Sequence, residues 1–405
     1  MRTLFAGGHV FCGSGDLLTE HGVLVEHDRV ARLAPLGEFD GFAENVVDCA
    51  GATIMPGLID CHVHLVYRGD ANPRARQRTP GQIVMECLDN AQADLMGGIT
   101  SIRDCGGIEH LEFAVRDACN SGRQVGPTIR CAGRMVCMTG GHGNYIGRVA
   151  DGADEVVKAV REQIHAGADL IKIMATGGVM TPGVNPEDAH YSVEELTAGV
   201  AEGHRFHRTC ASHAQGAAGI KNAVTAGVDS IEHGVFMDEQ CVRQMIEAGT
   251  YLVPTISALV NILEHRERGV PDYMVEKTER ASEHHRRSIK TFYEAGGKIA
   301  MGTDAGTPFN HHGANAMELQ YMADLGLAPL DILASATGNA ADLMRLDGRG
   351  RVADGAFADL LVVRGDPRAD MAAAADRANH LLVIKNGATV VDRRDNLSVA
   401  AKAAE

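Results

Sequence analysis

The sequence predicts an α/β protein: a (β/α)8 TIM barrel carrying a small β-sandwich built from both chain ends. Three observations predict it. Short apolar runs alternate with helix-patterned stretches through the middle of the chain. Both ends read as short strands joined by turns. Side chains able to bind metal or move protons recur where the middle runs end.

At the N-terminal end, GVLVEHDRVARLA (22–34) places β-branched residues on both sides of a His27-Asp28 turn. At the C-terminal end, ADLLVVRGDP (358–367) and HLLVIKNGATVV (380–391) have the same character, and Asn386-Gly387 is a strong hairpin signal. The two ends are therefore expected to pair, with 1–54 and 346–405 forming the sandwich and 55–345 the barrel. The terminal AAKAAE reads as a frayed tail.

The middle runs are TIMPGLIDCHVHL, ITSIRDCGG, PTIRCAGRMV, DLIKIMATGG, RTCASH, DSIEHG, TYLVPT and KIAMGTDAG. Between them lie amphipathic pieces such as 154–167 and 192–207; Ser192 and Glu195 have capping-box spacing. Strands alternating with helices imply parallel pairing through crossovers, and about eight units is the count for a closed barrel. An open doubly wound sheet is the competing arrangement, but no Gly-rich dinucleotide fingerprint follows the first run. The excess of glycine, 47 in 405 residues, suits many tight strand-to-helix turns.

A net charge of -15 would repel a phosphate backbone, and with no Trp the chain is poorly supplied with stacking platforms. Nucleic acid is an unfavourable partner. The ten cysteines are scattered singly with no CxxC pair, as expected of reduced core thiols in a cytoplasmic protein. No signal-peptide h-region and no run of membrane-spanning length occurs, so no membrane association is expected.

His62 and His64 lie two apart in an extended run and so share a face, while Cys61 and Val63 point the other way. Lys172 sits inside the fourth run, His213 ends the fifth, His233 the sixth and Asp304 the eighth. Taken singly, each has an ordinary explanation: a paired core lysine, satisfied core histidines, a capping aspartate. Strand ends of a barrel converge on one mouth, however, so these six would meet. Four neutral imidazoles and one carboxylate suit zinc or a similar divalent ion. A buried, deprotonated lysine can add carbon dioxide, and the resulting carbamate can bridge two ions. Asp104 reads as structural, paired locally with Arg103; His311 and His312 read as rim residues.

The order HxH, Lys, His, His, Asp, with MPGLIDCHVHL, LIKIMATGGV, SHAQG, IEHG and MGTDAGTPFNHHG around it, resembles the amidohydrolase superfamily. The wording resembles the branch of imidazolonepropionase-like proteins and metal-dependent Xaa-Pro dipeptidases. The resemblance implies that His62 and His64 bind one ion and His213 and His233 the other. Carboxylated Lys172 would bridge them, and Asp304 would contact the first and shuttle the proton. It also suggests that His142 (in TGGHGN) and Tyr191 (in HYSVEE) hold the substrate's carbonyl or carboxylate. The short 140–151 loop departs from some relatives, which affects the expected pocket shape.

The expected reaction is hydrolysis of an amide bond, in a dipeptide or N-acyl amino acid with a free carboxylate, by a water activated between two divalent ions. The alternatives are a cyclic amidohydrolase opening an imidazolone-like ring, a hydrolase of a xenobiotic amide, carbamate or urea, and a non-catalytic scaffold. Relatives suggest a homo-oligomer.

Overall fold

The computed structural model describes residues 2–39, 41 and 43–394; the AAKAAE tail lies outside the described residues. Seven parallel strands build the barrel: β1 Leu58–Val63, β2 Ile99–Asp104, β3 Thr128–Cys131, β4 Leu170–Met174, β5 Thr209–Gly216, β6 Ser230–Phe236 and β7 Tyr251–Val253. The third run divides, because after β3 a separate two-residue strand, Val136–Cys137, pairs with β4. The eighth run is not a regular strand. Residues 299–305 nevertheless close the ring, by a parallel bridge from Leu252 to Ile299 on one side and from Val63 to Ala305 on the other. The Cys61 and His64 amides donate to the Met301 and Ala305 carbonyls across this seam. The ring is thus a TIM barrel.

A buried carboxylate reinforces the closure. Asp60 accepts from the His62 amide, from the Thr303 amide and hydroxyl, and from Asn315 Nδ2, at 2.6–3.2 Å. Burial pushes its carboxyl up to about 7, opposed by these donors.

The crossover helices follow the local signals. Ala153–Ala166 ends at Gly167, whose φ of 103° supplies the left-handed turn that stops a helix. Val193–Arg205 begins with the expected reciprocal capping of Ser192 and Glu195. A 23-residue helix, Asp272–Glu294, lies against β6 and buries Met274, Thr278, Ala281, His285, Ser288, Ile289 and Phe292 along one stripe.

The two ends of the chain form two facing sheets. One holds Arg2–Ala6, His21–Glu26, Arg29–Pro35 and Asn45–Asp48. The other interleaves both ends: His9–Phe11, Leu17–Leu18 and Ala52–Pro56 with Leu360–Arg364, His380–Lys385 and Ala388–Asp392. Phe5, Val23, Ile54, Leu360, Val362 and Leu382 fill the space between them. The Asn386-Gly387 hairpin forms with both residues at positive φ, as its twist requires. Met55 and Pro56, read from the sequence as barrel, pair instead with Leu361 and Leu360 in this second sheet. The chain crosses from sandwich to barrel at Gly57, where an added Cβ would lie 2.1 Å from Thr100 Cγ2.

All ten cysteines are free and nine are buried. No helix of the described residues is long and apolar enough to cross a membrane.

His380 is buried at the start of the strand His380–Lys385, its ring donating to the Ala374 carbonyl, and burial lowers its pKa to about 4. An unfolded histidine titrates near about 6.5. Between these values the unfolded chain binds a proton that the folded chain refuses, so stability falls as pH drops through the window. His380→Gln is expected to flatten the stability curve between about pH 6.5 and 4, read as urea midpoints across that range.

Candidate active site

The C-terminal ends of the barrel strands bring His62, His64, Lys172, His213, His233 and Asp304 into one solvent-open cavity. His62 and His64 project inward from β1 as the alternation predicts, while Cys61 and Val63 enter the packed interior on the other side. Ring centroids run 5.4 Å from His64 to His62, 5.1 Å from His62 to His233 and 4.5 Å from His233 to His213. Asp304 Oδ1 lies 3.2 Å from His64 Nε2 and 3.5 Å from His62 Nε2.

Each imidazole is oriented by a hydrogen bond made away from the centre. His62 Nδ1 donates to Glu232 at 2.7 Å, His64 Nδ1 to the Gly106 carbonyl at 2.8 Å and His213 Nε2 to the Gly177 carbonyl at 2.8 Å. His233 Nδ1 donates to the Thr255 hydroxyl at 2.7 Å, which in turn donates to the Pro254 carbonyl. In every case the second ring nitrogen is turned toward the centre, where the lone pair of the neutral ring is the one a metal requires. Burial and Lys172 lower His62 to about 4 and His213 to about 3, and burial also drives His233 down, so these rings are neutral near pH 7. Burial raises the Asp304 carboxyl, but His62 and His64 overcome it and hold the pKa near 2.

Two buried atoms of the cluster outside the imidazoles, Lys172 Nζ and Asp304 Oδ1, meet no hydrogen-bond donor or acceptor at bonding geometry. Lys172 is 2% exposed. A bare ammonium there carries a large desolvation penalty, whereas a carboxylated amine facing cations carries far less. His62, His233 and Asp304 also place one donor atom each within 4.8 Å of the others. The donor set therefore fits divalent metal.

Sequence alternation could not place Glu232 and His233 together in the interior, since neighbours on a strand face opposite ways. The backbone resolves this: His233 has φ 73°, and Thr255 and Asp304 are also left-handed, at 55° and 61°. Such non-glycine conformations cost of order 1–3 kcal/mol each and persist only where the surroundings enforce them. Glu232 was missed for this reason. It is fully buried and takes hydrogen bonds from His62, Ser230 and Arg103. Burial alone would raise its carboxyl, but Arg103 and Lys172 hold it well below the carboxylate range. Arg103 thus pairs with Glu232, not with Asp104; Asp104 accepts from the Leu65 and Gly106 amides instead.

Of the other expected residues, His142 reaches the cavity and Tyr191 and His312 do not. His142 lines the cavity with its ring centroid 4.5 Å from His213, and its Nδ1 has no partner. Tyr191 is 2% exposed, packs in the core and donates its hydroxyl to the Ala150 carbonyl, so it does not face the cavity. His311 is exposed, its ring donating to the Arg68 carbonyl, whereas the His312 side chain is buried, donating to Asp94 and to the His64 carbonyl as a strut. Gln215, unforeseen, lines the cavity with an unpartnered Oε1; its place two residues beyond His213 on β5 was the available signal.

Residues 53–390 match the amidohydrolase family. The chain belongs to that family. It is accordingly a hydrolase acting on carbon–nitrogen bonds. Ochratoxinase of Aspergillus niger is 32% identical over 408 residues, spanning 91% of this chain and 82% of that protein. Among solved structures, a Xaa-Pro dipeptidase with methionine bound in its active site is 31% identical, with a TM-score of 0.87 over 96% of this chain and 99% of that one. A prolidase complexed with N-methylphosphonate-L-proline is 32% identical, with a TM-score of 0.88 over 97% and 100%.

Because Arg103 and Glu232 are both buried, removing one charge strands the other. Glu232→Gln is expected to lower stability by about 3–5 kcal/mol, with Arg103→Met in the same background recovering part of the loss; urea denaturation of the metal-free single and double variants measures both.

Proposed function

We propose that this amidohydrolase is a binuclear metal enzyme that cleaves the amide bond of a dipeptide or N-acyl amino acid. The observation that carries the reading is the buried, unpartnered Lys172 amine amid four inward-turned imidazole lone pairs and Asp304. In this reading His62 and His64 hold one zinc-like ion and His213 and His233 the other, with carboxylated Lys172 between them. Asp304 completes the first site.

Two divalent ions held there would supply an acidified water and a polarised scissile carbonyl. Asp304, held ionised beside His62 and His64, accepts the attacking water's proton and returns it to the departing amine. Neutral His142 can donate to the oxygen that gains negative charge. The substrate's side group meets an apolar wall of Met135, Ile146, Met174, Val179 and Leu259. The dipeptidase and prolidase relatives support a substrate ending in a free carboxylate. The same reading takes the chain as a cytoplasmic homo-oligomer.

A library of dipeptides and N-acyl amino acids, assayed alongside elemental analysis, is expected to give turnover with two ions per chain. One ion per chain with ring-opening activity alone would overturn the reading. Asp304→Asn is expected to lower kcat by roughly 10²–10⁴-fold while most metal remains bound; an unchanged kcat would end its proton-transfer role.

A further inference from the structure

The segment 177–184, which follows β4, forms one wall of the cavity through Val179 and Met180. It also touches the catalytic cluster directly. The Gly177 carbonyl orients His213, and the His142 ring packs so closely on Gly178 that an added Cβ would lie 2.6 Å from it. The segment is not a helix or a strand, so its shape must be imposed by partners.

Those partners come mainly from the helix Asp272–Glu294. Lys277 Nζ donates to the carbonyls of Gly178 (3.3 Å), Thr181 (2.6 Å) and Val184 (2.6 Å). An ammonium has three donors, and here all three are used on backbone oxygens of one segment. Four residues earlier on the helix, Tyr273 donates to the Met180 carbonyl at 3.1 Å. From the other side, Thr181 Oγ1 accepts from the Gly143 amide, next to His142, and from Arg74. Farther along the same helix, His285 donates to the His233 carbonyl and Ser288 to the Val235 carbonyl. One helix therefore grips both the wall of the cavity and the left-handed bend that presents His233.

We propose that Lys277 is a positioning residue: its ammonium fixes the 177–184 segment, and through it the orientation of His213 and the placement of His142 against the substrate. The proposal rests on the amide-hydrolase reading for its kinetic consequence but not for its structural one. No surface carboxylate can substitute for this clamp, because the acceptors are three peptide carbonyls converging on one point. Loss of the cation frees these oxygens and lets the segment lift from the cavity.

Hydrogen–deuterium exchange on the metal-loaded full chain tests the structural consequence without any substrate. Lys277→Met is expected to speed exchange of the 177–188 amides by tenfold or more and to leave β1 and β2 unchanged. Lys277→Arg, which keeps a cationic donor, is expected to restore most of the protection. With whichever amide the library identifies, Lys277→Met is expected to raise KM by about tenfold and to lower kcat by less, with metal content retained. Unchanged exchange in Lys277→Met, or an Arg variant no better protected than Met, would overturn the clamp. If Lys277→Met does not fold, Tyr273→Phe supplies the readout. Faster exchange of the Gly143, Gly177, Asn185 and Asp188 amides, which are bonded to or within this segment, supports the grip of the helix, and unaltered exchange there refutes it. Absence of amide turnover in the unmodified protein would count against the proposed reaction and leave the exchange result standing.

Discussion

Closure of the barrel between β1 and the 299–305 segment is the constraint on which the rest of the structure depends. Only when the first and eighth units meet do His62 and His64 face Asp304. The segment that closes the ring is too irregular to close it by strand pairing alone. Asp60 compensates: one carboxylate binds the backbone on both sides of the seam, and its donors include the amide of His62 itself. The same few hydrogen bonds therefore complete the fold and aim the first imidazole. Below the seam, His312 ties Asp94 to the His64 carbonyl, so the second imidazole is fixed by an ionic strut reaching into the adjoining helix.

Around this seam the site is organised by subtraction. Each of His62, His64, His213 and His233 donates one ring N–H to a carbonyl, hydroxyl or carboxylate at its back, which turns the other ring nitrogen to the front. Glu232 is the one charged member of that outer set, and Arg103 keeps it ionised in a place where burial alone would protonate it. The arrangement concentrates acceptors and removes donors from the centre, which is unfavourable for a chain by itself and favourable for cations. Left-handed backbone at His233, Thr255 and Asp304 belongs to the same pattern: local preference is overridden so that side chains converge.

Much of this was legible in the sequence, for identifiable reasons. The barrel followed from a strand–helix rhythm, the hairpin from Asn386-Gly387, and the six central residues from their recurrence at run ends. What could not be read was whatever depends on a bend or on direction. Glu232 is hidden by its neighbour, because alternation allows one or the other to face inward until a positive φ admits both. Tyr191 has the right place in the order of the chain but turns its hydroxyl to Ala150, a choice made by packing. Arg103 sits beside Asp104 and ignores it, because a residue on the opposite face of a strand cannot reach its neighbour as easily as it reaches β6. Met55 and Pro56 look like the start of the barrel because their apolar character is the same in either sheet.

The thiols offer a different kind of consequence. Nine of ten are enclosed, and burial raises the pKa of every one, so at neutral pH they are poor nucleophiles while the chain is closed. They are also distributed usefully: Cys49 lies in the filling between the two terminal sheets, whereas Cys61 and Cys105 lie against Arg103 under the metal-type cluster. An alkylating reagent would therefore report breathing of the two lobes separately, through native side chains that act as timestamps, without an introduced label.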